Sequence, residues 1–253
     1  MLNTISHGTP GDGPPLILVH GLYGQARNWL QIARALSKER HVIAVDQRNH
    51  GDSPWTDSHD YPGMAEDLAQ VIDAQGGLAD LVGHSMGGKA VMALALTRPD
   101  LVHRMIIADM APVAYDHDQL QYVKAMKSVD LSQVEKRSDA ARQLSEHVSD
   151  STLQSFFTQS IDTSEKRWKL NLDVLERDMD KVLGWPDLDG SFEGPALFLS
   201  GAESDYVAPA YRDTIRGYFP KARFVSLPGT GHWLHAEKPR EFAETVQTFL
   251  DRS

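Results

Sequence analysis

Short apolar runs alternate with amphipathic segments along the first hundred residues of the chain. The runs 15–20 and 104–109 are almost wholly apolar, whereas 29–36 places its apolar residues at helical intervals. Strands that are apolar at nearly every position are buried on both faces, as in parallel sheets covered by helices. The pattern therefore predicts an α/β fold with a mostly parallel, doubly wound sheet.

The middle of the chain has a different pattern. Residues 113–183 contain no glycine and no proline, although both are common elsewhere. Apolar residues recur in this stretch at helical intervals, so we expect several helices there. Strand and helix patterns alternate again after it. The predicted organisation is a sheet core of residues 1–112 and 191–253, with a helical lid inserted at 113–190 over the carboxyl edge of the sheet.

Composition and charge exclude several functions. The 253 residues include 35 acidic and 25 basic side chains, a net charge of −10, so no basic surface for nucleic acid is expected. No apolar stretch is long enough to span a membrane and no signal peptide is visible, so we expect a cytoplasmic protein without membrane insertion. With no cysteine in the chain, disulfides and thiol nucleophiles are excluded.

The pentapeptide Gly83–Gly87, with Ser85 at its centre, matches the Gly-x-Ser-x-Gly pattern of a nucleophile elbow. It lies between an apolar run and a helical pattern, which is the strand–turn–helix setting that an elbow requires. Small residues allow a tight turn that exposes the serine Oγ, and the following helix directs N–H groups at a developing negative charge. Because Gly and Ser are also frequent in ordinary loops, this setting is what indicates a nucleophile.

A serine nucleophile needs a base, and the chain has 11 histidines. His232 lies in a glycine-rich loop directly after the last predicted strand, so we expect it to be the base. His235 is expected on the surface of the C-terminal helix, and His50 and His84 are expected to have structural roles. His59, like the other histidines outside any motif, is expected to be solvated.

An oxyanion hole requires two N–H donors near the carbonyl under attack. Met86, directly after the serine, is expected to supply one of them. Leu22, in the glycine-containing loop 20–24 after the first apolar strand, is expected to supply the other. The alternative interpretation of that loop is a simple strand end followed by a turn. No metal or organic cofactor is implied by these residues.

These motifs resemble those of the α/β-hydrolases over nearly the whole chain. The matching segments are His20-Gly21, Asp46–Ser53, Gly83–Lys89 and Gly229–His232 with the following 237–239. The segments that are also similar to the bacterial YbfF-type small esterases are Gly83–Lys89, Ala108–Pro112 and His232–Pro239. The resemblance implies an α/β-hydrolase fold with an inserted lid and a catalytic triad in the order serine, acid, histidine.

Two residues are candidates for the acid that orients His232. Many α/β-hydrolases place this acid three residues after the glycine that ends the strand before the last one. That glycine here is Gly201, and the third residue after it is Ser204 rather than an acid. Asp205 comes one residue too late, whereas Asp109 ends the preceding strand, where the resemblance to YbfF-type esterases also implies an acid. We favour Asp109, with Ser204 as a supporting hydrogen-bond donor.

The sequence thus predicts a serine hydrolase that cleaves small-molecule carboxylic esters or thioesters, acyl-CoA among them, through an acyl-enzyme. The side chains expected to line the acyl pocket are Tyr23, Trp29, Phe156, Phe157, Trp168 and Leu172. One alternative is C–C bond or lactone hydrolysis on the same scaffold. Another is a non-catalytic ligand receptor, because a fold does not by itself establish turnover. The pattern indicates neither the physiological substrate nor the oligomeric state.

Overall fold

The computed structural model describes residues 1–252, and the strands of this part of the chain are β1 (Thr4–His7), β2 (Leu16–Val19), β3 (Val42–Val45), β4 (Ala79–His84), β5 (Val102–Ala108), β6 (Ile161–Asp162), β7 (Arg167–Trp168), β8 (Ala196–Gly201) and β9 (Ala222–Leu227). Seven of these strands form one sheet in the order β1-β3-β2-β4-β5-β8-β9. The strands β6 and β7 pair separately as a small antiparallel hairpin.

The main sheet is parallel except at one edge. Strand β1 runs antiparallel to β3, with Thr4 opposite Val45, and every other pair of neighbours is parallel. All residues of β2, β3 and β4 are buried. The uniformly apolar runs therefore form central strands covered on both faces, and the predicted fold class is confirmed.

The helices are α1 (Leu30–Leu36), α2 (Tyr61–Asp73), α3 (Met86–Thr97), α4 (Leu120–Lys127), α5 (Arg137–Leu144), α6 (Ser151–Thr158), α7 (Leu172–Arg177), α8 (Met179–Leu183), α9 (Arg212–Tyr218), α10 (Leu234–Glu237) and α11 (Pro239–Arg252). Helices α1 and α11 pack together on one face of the sheet, and α2 and α3 pack together on the other. No helix within residues 1–252 combines the length and the apolar character needed to cross a membrane.

Residues 113–190 contain the five helices α4 to α8 and also the hairpin β6–β7. The sequence pattern predicts helices only, so the hairpin is an addition. Its turn contains no glycine: Lys166 adopts a φ of 52°, and the Asp162 carboxylate accepts hydrogen bonds from the backbone of Ser164 and Glu165. The Asp162 side chain thus stabilises a turn that lacks the Gly or Pro by which turns are usually predicted. The boundaries at 113 and 190 stay predictions.

The parallel arrangement brings the ends of separate strands to a single edge. Ser85 follows β4 directly, Asp109 follows β5, and His232 lies in the loop after β9. The carboxyl ends of parallel strands meet at one edge, where open α/β sheets bind their ligands. Residues up to 147 positions apart in sequence therefore become neighbours there.

Candidate active site

Ser85 occupies a strained turn between β4 and α3. Its φ of 53° and ψ of −122° are unusual for a residue with a side chain, and its N–H donates to the Ala108 carbonyl at 3.0 Å. Helix α3 begins so close to the end of β2 that a Cβ at Gly87 would lie 2.5 Å from the carbonyl oxygens of Val19 and His20. Glycine at position 87 is therefore required by close backbone approach, as the elbow motif predicts.

A chain of hydrogen bonds joins Ser85, His232 and Asp109. Ser85 Oγ lies 3.0 Å from His232 Nε2, and His232 Nδ1 lies 2.7 Å from Asp109 Oδ2. Asp109 is fully buried and accepts two further hydrogen bonds, from Gly201 N–H at 3.1 Å and from the Ser204 hydroxyl at 2.5 Å. Because the carboxylate only accepts hydrogen bonds, His232 carries its proton on Nδ1 and leaves Nε2 free to accept the serine proton.

The second candidate acid lies away from the histidine. The Asp205 side chain is exposed, and within residues 1–252 its carboxylate forms no hydrogen bond or ion pair. The intervening Ser204 instead turns its hydroxyl onto Asp109. The structure thus brings Asp109, not Asp205, to the imidazole, and it places Ser204 against the acid rather than against the histidine.

The two predicted oxyanion donors border the same space. Leu22 and Met86 line a cavity beside Ser85, and no group of residues 1–252 accepts a hydrogen bond from either backbone N–H. The loop carrying Leu22 approaches closely, since a Cβ at Gly21 would lie 3.1 Å from Ser85 Cβ. Both N–H groups are therefore free to bind a substrate oxygen.

Three buried histidine rings lie in a row behind that loop. The ring centroids of His20 and His50 are 5.2 Å apart, and those of His50 and His59 are 5.3 Å apart. Tyr23 N–H donates to His50 Nε2 at 3.1 Å, which holds the loop in place. Burial lowers the pKa of all three rings, well below the usual value for His50 and to about 3 for His59, so they are neutral acceptors at neutral pH. The expectation that His59 is solvated was wrong.

His235 is also buried, so its predicted surface position was wrong. Its ring centroid lies 4.3 Å from that of His84 and 4.7 Å from that of Trp29, because the short helix α10 turns this side chain inward. Nδ1 of His235 has no hydrogen-bond partner within the described part of the chain. Burial lowers the pKa of His235 to about 3.

We expect His235 to make the fold sensitive to acid, and His235→Leu to remove that contribution. The unfolded chain protonates a histidine near pH 6.5, whereas the folded protein keeps His235 neutral until about pH 3. Below about pH 6.5 the unfolded state therefore binds more protons, and the free energy of unfolding falls. From pH 7 to pH 5, the free energy of unfolding measured with urea should fall by about 2 kcal/mol more in the wild type than in His235→Leu. The exposed-site control His147→Gln should follow the wild type, and the same loss in His235→Leu would contradict the prediction.

The cavity beside Ser85 has a volume of about 260 Å³ and takes its walls from both the sheet core and residues 113–190. Among the predicted pocket residues, Tyr23, Phe156 and Phe157 line it. The ring of Tyr23 meets that of Phe157 edge-on at 5.4 Å. Within residues 1–252 no three His, Asp or Glu side chains are grouped so that they could hold a metal ion.

Trp29, Trp168 and Leu172 lie outside the lining of this cavity, which corrects the predicted pocket. Trp29 packs on the face of the sheet that α1 and α11 cover, with its ring 6.0 Å from that of Phe242. Trp168 and Leu172 are buried in the apolar cluster that contains side chains of the inserted segment together with those of α2 and α3. Helical spacing identifies apolar positions that are buried, but the tertiary packing decides which apolar layer each of them fills.

A buried lysine also lines the cavity. Lys89 lies on α3, one turn after Ser85, and is 1% exposed. Its ammonium group donates to the carbonyls of Leu183 at 2.9 Å and Gly184 at 2.5 Å, at the end of α8. Burial lowers the pKa of Lys89 to about 7. The side chain joins the serine helix to the inserted segment, a role that the motif Gly83–Lys89 does not reveal.

Fold and site together define the class of the protein. A serine on a strained strand–turn–helix, joined to a histidine and an aspartate above a mostly parallel sheet, is the arrangement of α/β-hydrolases. The family model described as alpha/beta hydrolase fold matches residues 14–239. The chain belongs to the α/β-hydrolase family.

Similar proteins include named esterases and a lipase. The chain is 38% identical over 244 residues to Esterase YbfF of Escherichia coli K12, covering 95% of this chain and 94% of that protein. It is 38% identical over 251 residues to the mouse sn-1-specific diacylglycerol lipase ABHD11, covering 94% of this chain and 81% of that protein. A solved structure titled marine microorganism esterase superposes with a TM-score of 0.92 at 37% identity and covers 98% of both chains.

Proposed function

We propose that this protein is a serine hydrolase that cleaves carboxylic esters through an acyl-enzyme. The observation that carries the proposal is the continuous set of hydrogen bonds from Asp109 through His232 to Ser85, beside a cavity of about 260 Å³. The esterase and lipase names of the relatives support an ester as the substrate class. A complete nucleophile, base and acid also argue against a non-catalytic receptor.

In the acylation step, Ser85 Oγ attacks the ester carbonyl carbon while His232 Nε2 takes the hydroxyl proton. The Asp109 carboxylate, 2.7 Å from Nδ1, stabilises the imidazolium that forms. The backbone N–H groups of Leu22 and Met86 bind the carbonyl oxygen as it gains negative charge. Nε2 then returns the proton to the alcohol oxygen as the C–O bond breaks, so an alcohol leaves and an acyl-enzyme remains.

The second step repeats the chemistry with water. His232 Nε2 takes a proton from a water molecule, whose oxygen attacks the acyl carbon. The proton then passes to Ser85 Oγ as the acyl–enzyme bond breaks, which releases a carboxylic acid and restores the serine. Every proton movement uses the same imidazole nitrogen, and no group outside the triad and the two N–H donors is needed.

The cavity walls favour small to medium acyl groups. Tyr23, Phe156 and Phe157 present aromatic surface beside Ser85, and the last two are contributed by the inserted segment. Phe156 lines both this cavity and a larger outer groove that contains Arg27 and Gln31, and it forms the wall between them together with Leu153 and Trp233. Each acyl CH₂ that fits should raise kcat/KM by about fourfold until the chain reaches that wall.

Turnover of p-nitrophenyl esters from acetate to laurate, with the matching acyl-CoA thioesters, tests this proposal. We expect kcat/KM to rise with chain length, reach a maximum at a short or medium acyl group and then fall. Phe156→Ala should move the maximum to longer chains because it opens the wall between the cavity and the groove. Trp168→Phe, changed inside the lid but outside the cavity, should keep the wild-type maximum. Absence of turnover on every ester would contradict the proposed function, and a maximum unchanged by Phe156→Ala would contradict the pocket assignment.

A further inference from the structure

A tyrosine ring lies flat against the imidazole of His232. The ring centroids of Tyr206 and His232 are 4.0 Å apart, and the two planes make an angle of 21°. Within residues 1–252 the other rings near this imidazole are more distant and more tilted: His84 at 4.8 Å and 42°, and Trp233 at 5.9 Å and 75°. Tyr206 is therefore the one ring of this group that stacks on His232.

The backbone around Tyr206 is held by Tyr115 and by Ser204, which also holds the acid. The Tyr115 hydroxyl donates to the Tyr206 carbonyl at 2.6 Å and accepts from Ala111 N–H at 2.9 Å. Tyr206 N–H donates to Ser204 Oγ at 3.4 Å, and that hydroxyl in turn donates to Asp109. One short loop thus supports the acid through Ser204 and the imidazole through Tyr206.

The groups around His232 leave little else to stabilise a positive charge. The titratable groups that face it are Asp109 after β5, His84 at the end of β4, His235 on α10 and Tyr206. Burial lowers the pKa of His84 well below its usual value and that of His235 to about 3, so both are neutral at working pH. Burial raises the pKa of Tyr206 to about 12, so it stays a neutral phenol. The Asp109 carboxylate and the Tyr206 ring face are the two favourable neighbours.

We propose that Tyr206 is a positioning residue, which holds the imidazole of His232 in plane and stabilises its imidazolium through the face of the phenol ring. This role rests on the proposed function, in which His232 is the base. A cation over the face of an aromatic ring is attracted by the negative charge of the π-system. Parallel packing at 4.0 Å also restricts rotation of the imidazole, so that Nε2 stays directed at Ser85.

The pH dependence of kcat/KM for Tyr206→Leu tests the proposal. Without the ring face the imidazolium is harder to form, so the acid limb should move to lower pH by about half to one and a half units. The plateau rate should fall by about 2- to 30-fold. Tyr206→Phe keeps the ring face and should keep the acid limb of the wild type. Tyr122→Leu is a matched control, because Tyr122 lines the same cavity without stacking on His232; it should change KM but not the position of the limb.

Proton NMR gives a second measurement that does not need turnover. The Cε1–H resonance of His232, assigned by its loss in His232→Gln, should be shifted upfield by the stacked ring in wild type and Tyr206→Phe. In Tyr206→Leu that shift should disappear, and the protonation midpoint followed by this resonance should fall by the same amount as the acid limb.

Two results would separate failure of this role from failure of the proposed function. An active wild type with the same acid limb and the same protonation midpoint in Tyr206→Leu would overturn the role of Tyr206 and leave the hydrolase proposal standing. A wild type without ester turnover would overturn the proposed function. In that case the NMR midpoint still decides whether Tyr206 stabilises the imidazolium, and an unchanged midpoint overturns that as well.

Discussion

Replacing Ser85 by alanine is expected to lower kcat for ester hydrolysis by about 10⁶-fold, the scale of loss when the nucleophile of a serine hydrolase triad is removed. The change deletes the atom that would form the acyl-enzyme and the hydrogen bond to His232 Nε2. The strained backbone at position 85 is supported by its N–H bond to Ala108, which alanine keeps, so the fold should be intact. Initial rates on the best p-nitrophenyl ester, with circular dichroism to check folding, measure the effect.

Ser204→Ala is the matched control for this variant, because it removes a second hydroxyl of the same hydrogen-bonded group without removing the nucleophile. A fluorophosphonate probe should label the wild type and Ser204→Ala but not Ser85→Ala. Retention of wild-type turnover or of labelling in Ser85→Ala would show that another group performs the attack, and the proposed mechanism would be wrong.

Asp109→Asn is expected to lower turnover by about 10³- to 10⁴-fold while the protein stays folded. An amide at this position cannot supply the negative charge beside the imidazolium, and its NH₂ group favours the wrong tautomer of His232. Asp109 is 0% exposed and its Oδ2 lies 2.7 Å from Nδ1, so solvent screens the interaction only weakly. The pH profile of kcat/KM on one ester, compared between wild type and variant, measures the loss.

Asp205→Asn is the control for the acid, since it makes the same chemical change four residues after Gly201, near the position that many α/β-hydrolases use. Its carboxylate is exposed to solvent, where charge effects are small, so the rate should stay within about threefold of wild type. A large loss of turnover in Asp205→Asn, with near-normal rates in Asp109→Asn, would make Asp205 the acid, near the usual position. It would also contradict the support that the Ser204 hydroxyl gives to Asp109 as the acid.

The acid illustrates where local pattern stops being informative. The motif around Ser85 and the loop of His232 can be identified from short, contiguous segments, because an elbow and a glycine-rich turn each require particular residue types at adjacent positions. Asp109 precedes His232 by more than 100 residues, whereas Asp205 precedes it by 27. The choice between them depends on which carboxylate reaches the imidazole in the folded chain. The sequence favoured Asp109 by strand position and resemblance, and only the packing of β5 beside β8 brings it to His232.

The buried histidines show the same limit. His59 was expected in solvent because it belongs to no motif, and His235 was expected at the surface of the C-terminal helix, yet both are buried among other rings. Histidine is compatible with surface and core alike, so its identity carries little information about burial. The stacking of Tyr206 on His232 has no sequence signal at all, since it joins two loops after different strands.

What the sequence by itself determined is what depends on near neighbours along the chain: the alternation of strands and helices, the helical character of most of 113–190, the elbow at Ser85 and the loop of His232. These follow from periodicity and from turn chemistry, which act over a few residues. The tertiary structure alone decided which apolar side chains face the cavity, as with Phe156 and not Trp168. It also decided how Lys89 and Tyr206 pack against the site. Such contacts join distant parts of the chain, so their geometry exists only once the sheet and the inserted segment have packed together.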